Sequence, residues 1–162
     1  MMTVPDTSSF AMRPAVLKDL DALAAIDACC FPPGIAYPRE EIASLLSEPT
    51  VFTLVAERSQ TIEGFASLQL VRQRGFPHSS RGELITIDVL PDFRRGRVGW
   101  QLHQGLEDWL RAGRGQSIEL HVAIDNPAAV GFYERLGYRI VARIPSYYLE
   151  AMDAWRMKKI LL

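Results

Sequence analysis

Arginine and glycine crowd together where the apolar run of residues 85–90 gives way to an amphipathic stretch. Arg94, Arg95, Gly96, Arg97, Val98 and Gly99 stand in succession in "RRGRVG". A helix start leaves about four backbone N–H groups without partners and carries roughly half a positive charge. Glycine there removes bulk, so an anion can reach those amides, and the arginines add charge. A pyrophosphate is the natural guest. The competing reading is a solvated turn whose arginines only keep it soluble. Spacing rejects two other phosphate loops: GxxxxGK[ST] is absent, and Gly96 and Gly99 do not complete GxGxxG. A second chemical candidate is His121, which interrupts the apolar alternation of "SIELHVAI" on the face of Glu119 and Ala123. An imidazole with a pKa of about 6.5 suits proton removal near neutral pH, although a lone strand histidine is more often structural.

These residues need elements to position them. "FAMRP" reads as a short strand, and Val16, Leu20, Leu23, Ile26 and Cys30 form one helix face. "FPPGIAYP" breaks that helix, and Pro38 opens a second through Ile42, Leu45 and Leu46. Strands are expected at 51–57, 63–71 and 83–90, with a basic loop from 72 to 82 between the last two. After the arginine turn, Val98, Leu102, Leu106, Trp109 and Leu110 define a helix; residues 117–124 are strand-like again. In "DNPAAVGFYERLGY", Asp125 or Asn126 can cap a short helix, Pro127 sits in its first turn and Gly137 lies past its end. "RIVARI" and "AWRMKKILL" complete the strands. The fold class expected is mixed α/β (α+β), one domain from residue 10 to 162 after a flexible leader of residues 1–9. His78 and His103 are expected at the surface.

Two segments together resemble the GCN5-related N-acetyltransferase (GNAT) superfamily. "VLPDFRRGRVGWQL" is similar to its coenzyme A loop, Gln/Arg-x-x-Gly-x-Gly/Ala, with Arg94 first, Gly99 last and Arg97 where a glycine is usual. "NPAAVGFYERLGY" is similar to its second segment at Asn126, Ala129, Phe132, Tyr133, Gly137 and Tyr138. The resemblance implies a central sheet of about six or seven strands, splayed at the middle and flanked by about four helices. It implies acetyl-CoA held by the amides from Arg94 to Gly99 and by Asn126 and Ala129, its pantetheine arm pairing with strand backbone near Val89. It implies direct transfer without a metal: Tyr133 donates a proton to the leaving sulfur, and His121 and Glu83, with Glu119 behind, are the candidates for taking the amine proton.

The acceptor is read from two further segments. "FPPGIAY" and "PSYYLEAMDAWRMKK" resemble the loop and late hairpin of N-terminal protein acetyltransferases, including those of ribosomal proteins. There Phe31, Pro32 and Tyr37 would face Tyr147 and Tyr148 across a peptide N terminus. A small free amine such as a polyamine is the alternative acceptor, disfavoured by a basic lip of Arg72, Arg74 and Arg81; an idle acyl-CoA-binding module is another. Composition is compatible: 162 residues, 48% apolar, and a net charge of −1, which argues against broad nucleic-acid binding. No apolar run suits a membrane span and the start lacks a secretory signal, so a cytoplasmic monomer or homodimer is expected. Cys29 and Cys30, adjacent, form no disulfide framework.

Overall fold

The computed structural model describes residues 10–75, 79–94, 96–148 and 151–161. Among these residues seven strands form a single sheet in the order β1-β2-β3-β4-β5-β7-β6, with four α-helices against it. The strands are β1 (Ala11–Pro14), β2 (Val51–Arg58), β3 (Thr61–Arg72), β4 (Ser80–Val89), β5 (Gly115–Ala123), β6 (Arg139–Tyr148) and β7 (Met152–Ile160). The helices are α1 (Leu20–Cys30), α2 (Arg39–Ser47), α3 (Val98–Ala112) and α4 (Pro127–Arg135). All neighbouring strands are antiparallel except β4 and β5, which run parallel with α3 as the crossover. The mixed α/β architecture with a seven-stranded sheet is the expected one.

Two apolar layers sandwich the sheet. Leu102, Leu106 and Leu110, spaced by four along α3, are fully buried against Leu68, Leu84, Ile118 and Met157. Each such side chain contributes roughly 1.5–3 kcal/mol by leaving water. On the opposite face Leu23, Ile26 and Ile42 of α1 and α2 close over Val55 and Phe65. Gly137, at φ 100°, ends α4 in the left-handed conformation, and the Tyr138 amide donates back to the Tyr133 carbonyl at 3.0 Å.

Some boundaries differ from the sequence expectation. Val16 and Leu17 are exposed, because a short 3-10 turn (Leu17–Asp19) precedes α1. Asp19 is held there by a bidentate contact with Arg13 at 2.8 and 3.0 Å. β3 and β4 take the two ends of the anticipated 72–82 loop, at Arg72 and at Ser80–Gly82. β6 runs on through Pro145, which its place at the sheet edge permits because no partner needs the missing N–H. No helix among the described residues is long and apolar enough to cross a membrane.

Candidate active site

The parallel ladder between β4 and β5 is short. It joins Ser80–Glu83 to Gly115–Glu119 and goes no further among the described residues, although β4 continues to Val89 and β5 to Ala123. A bulge helps separate them: Ser67 pairs with Thr86 but Leu68 with Leu84, leaving Ile85 as an extra residue on β4. Such an insertion bends the strand and reverses which face the following side chains take. The result is a wedge between residues 84–89 and 120–123, with strand edges able to pair with an extended ligand.

At the mouth of the wedge a 3-10 turn (Pro91–Phe93) leads into α3. Arg97 is the helix N-cap, at φ 64° and ψ 11°, and its own side chain does not cap the first amides. The left-handed conformation explains why glycine would suit this place, and an arginine there costs about 1–2 kcal/mol. Val98 is buried, anchoring the turn; Gly99 faces Phe132 and Val89, where a Cβ would lie 3.4 and 3.6 Å from their side chains. The Arg94 side chain folds back and donates to the Val89 carbonyl at 3.1 Å, where it competes with a ligand for that oxygen. Arg95 lies outside the described residues. Asn126 caps α4, its Oδ1 accepting the Ala129 amide at 3.2 Å, so its side chain shapes the helix start. Beside the turn, Arg97, Trp100, Phe132, Arg135 and Leu136 line a cavity of about 450 Å³.

Tyr133 of α4 is half-buried, its ring set edge-on to Phe132 and Tyr138 at 5.4 and 5.7 Å. Its hydroxyl makes no hydrogen bond among the described residues, whereas that of Tyr138 is 2.7 Å from His103 Nε2. Burial raises the Tyr133 pKa well above the ordinary 10, keeping the phenol protonated. His121 of β5 is half-buried with the Tyr147 ring stacked on it, centroids 4.5 Å apart and planes 10° from parallel. Burial lowers its pKa below 6.5; Glu83 and Glu119 push the other way. The imidazole is therefore neutral at physiological pH and able to accept a proton. Glu83 sits at the last rung of the ladder, opposite Glu119. Glu119 is buried and shared among Arg81 at 3.0 Å, Arg156 at 2.5 Å and Lys158 at 3.9 Å. With three cations on it, Glu119 is an anchor of the wedge.

Of the residues expected on the acceptor side, Tyr37, Tyr147 and Tyr148 are near one another. Residues 32–36 form a tight turn, with the Ile35 and Ala36 amides donating to the Pro32 carbonyl. Phe31 and Tyr37 are half-buried and Pro32 is exposed. Tyr147 lies edge-on to Tyr148 at 4.8 Å, and Tyr37 and Tyr148 each feel the neighbouring Tyr147 phenol, burial raising both pKa values, that of Tyr148 to about 12. Tyr148 donates to the His121 carbonyl at 3.3 Å, so it braces β5 as well as facing the wedge.

Two expectations are corrected. His103 is not at the surface: it is buried, bonded to Tyr138 and 3.3 Å from Glu107. Burial alone would raise the Glu107 pKa; hydrogen bonds from His103 and Lys159 outweigh it and hold it at about 2. Position was the missed signal, since His103 lies three residues before Leu106 and seven before Leu110, on the apolar stripe. Arg81 is not a free lip charge either, because Glu83 and Glu119 take it up at 3.3 and 3.0 Å. His78 lies outside the described residues.

The profile of the Acetyltransferase (GNAT) family matches residues 20–138. N-alpha-acetyltransferase 30 of Schizosaccharomyces pombe is 34% identical over 76 residues, 47% of this chain and 51% of that protein, so the chain spans about half of that relative. An N-alpha-acetyltransferase of Sulfurisphaera tokodaii is 25% identical over 91% of both chains. In structure the chain resembles Ard1 from Thermoplasma volcanium, with a TM-score of 0.84, 24% identity, and coverage of 96% of this chain and 99% of that one.

Proposed function

Because the chain belongs to the acetyltransferase (GNAT) family and is an acetyl-CoA-dependent N-acetyltransferase, we propose that its acceptor is the N-terminal α-amino group of a protein or peptide. The observation that carries this reading is the convergence of Tyr37 with Tyr147 and Tyr148 at the open end of the wedge, beside His121. Phe31, Pro32 and Tyr37 on one side and Tyr147 and Tyr148 on the other form walls for an extended peptide entering end-on. Relatives named N-alpha-acetyltransferases support it.

In the proposed mechanism the diphosphate of acetyl-CoA rests on the amides from Arg94 to Gly99, with the nucleotide toward Trp100, Arg97 and Arg135. The pantetheine lies along β4 near Val89, placing the thioester by Tyr133. The neutral amine attacks the thioester carbon, forming a C–N bond and a tetrahedral oxyanion; collapse breaks C–S. Tyr133 delivers its proton to the departing thiolate, and His121 takes the proton shed by the new amide nitrogen, directly or through water. Glu83 raises the proton affinity of His121 through space. An α-amine with a pKa of about 7.7–8.0 is partly neutral near pH 7, whereas a lysine amine at about 10.4 is almost wholly charged. A modest base such as His121 therefore serves the α-amine better.

A peptide pool varied at its first residues, offered with free and with blocked N termini, tests the acceptor. Acetyl gain confined to the free members is the expected result. Gain only on polyamines or other small amines overturns it.

A further inference from the structure

Asp27 of α1 and Asp88 of β4 lie on elements 61 residues apart in sequence and meet, both almost wholly inaccessible to water. Because the bulge at Ile85 reverses the faces of β4, Asp88 points at α1 while Val89 points at Gly99 and α3. Thr86 donates to Asp88 Oδ1 at 2.5 Å, and the Tyr37 amide donates to Asp27 Oδ2 at 2.6 Å. The remaining oxygens, Asp27 Oδ1 and Asp88 Oδ2, are buried with no other partner among the described residues. Two carboxylates cannot bond to each other; one shared proton satisfies both leftover oxygens at once.

We propose that Asp27 and Asp88 are a proton-sharing pair of positioning residues that fastens the acceptor loop, at Tyr37, to the strand that carries the thioester. The inference rests on the acceptor reading above, since it names what orients one wall of that site. The proton resides on Asp88, which donates to Asp27, and Asp27 in turn accepts Tyr37. Burial and the Asp27 carboxyl push Asp88 up to about 8; the Thr86 bond and the Arg94 charge pull the other way. The other titratable groups around it are Cys30 of α1, Tyr37 of the loop and Tyr133 of α4, each influenced by its charge. Burial raises the pKa of all three, so none supplies a counter-charge near neutral pH. Above pH 8 the shared proton leaves, two like charges face each other, and the loop loses its fastening to β4.

The test compares wild type with Asp88→Asn and Asp27→Asn, because either asparagine can donate to the remaining carboxylate at every pH. One reading needs no acceptor: with isotope-labelled tyrosine, the amide resonance of Tyr37 should shift with a midpoint near pH 8 in wild type and stay still in both variants. The second reading is kinetic. One pH unit above the midpoint about a tenth of the pair keeps its proton, so the acceptor KM of wild type relative to either variant at the same pH should rise about tenfold, the KM for acetyl-CoA staying constant. Comparing wild type with each variant at equal pH cancels the titration of the acceptor amine itself, which ionises over the same range. A Tyr37 signal that does not titrate, or titrates equally in the variants, overturns the proposal, as does a wild-type to variant ratio of acceptor KM that is indifferent to pH. If the Tyr37 signal behaves as expected but no peptide is acetylated, the fastening stands and the acceptor reading fails.

Discussion

Replacing Tyr133 with phenylalanine removes one oxygen from the centre of the proposed chemistry and little else. The ring keeps its edge-on contacts with Phe132 and Tyr138, and the hydroxyl holds no hydrogen bond among the described residues. The structural cost is therefore small, under about 0.5 kcal/mol, or a melting shift below about 2 °C. The catalytic cost should be larger. General acid catalysis contributes about 10²–10⁴-fold, and a thiol pKa of about 8.5 makes the thiolate a tolerable leaving group, which favours the lower end. Turnover should fall about 100-fold, or about 2.7 kcal/mol, with the KM for acetyl-CoA unchanged. Because burial keeps the phenol protonated beyond the ordinary range, the loss should be constant from neutral to moderately alkaline pH. Steady-state kinetics with release of coenzyme thiol, alongside thermal melts, reads both quantities. Unchanged turnover, or an activity loss matched by unfolding, refutes the assignment of Tyr133 as proton donor.

Other perturbations separate base, anchor and turn. His121 has a depressed pKa, so its neutral form persists below pH 6.5; the acid limb of kcat/KM should steepen from slope one to slope two only there. His121→Ala should keep slope one throughout, and an unaltered profile would make His121 a packing residue. Glu107 is held at about 2, against 4.5 unfolded, so its stabilisation is present above pH 4.5 and lost as pH falls toward 2. Glu107→Gln should show a shallower decline in melting temperature over that window; an identical decline would count against it. Tyr138→Phe leaves the buried His103 nitrogen without its partner and should cost about 1–3 kcal/mol without altering either KM. Arg97→Gly relieves the left-handed strain at the α3 N-cap and should leave stability equal or higher while weakening acetyl-CoA binding, read by calorimetry. A destabilised variant would contradict the strain argument.

Much of the frame could be read locally. The four-residue spacing of Leu102, Leu106 and Leu110 and the Asn126, Pro127 and Gly137 signals at the ends of α4 act within a turn or two, so periodicity and capping predict them. The arginine turn was visible for the same reason. What stayed hidden depends on partners far along the chain. Asp27 lies one residue past Ile26 and four past Leu23, on a buried stripe, yet its reason for burial is Asp88, brought there by a bulge that no propensity marks. His103 is buried because Tyr138, 35 residues later, supplies a hydroxyl. Glu119 and Glu83 look alike as strand carboxylates; only the pairing of β5 with β7, which brings Arg156 and Lys158 alongside, separates anchor from candidate helper.

The most direct test of an α-amine acceptor uses one peptide that carries both a free N terminus and an internal lysine. Incubation with acetyl-CoA, followed by fragmentation in a mass spectrometer, locates the added acetyl. It should fall on the N-terminal fragments; acetyl on the lysine, or on neither amine while small amines are consumed, would contradict the account.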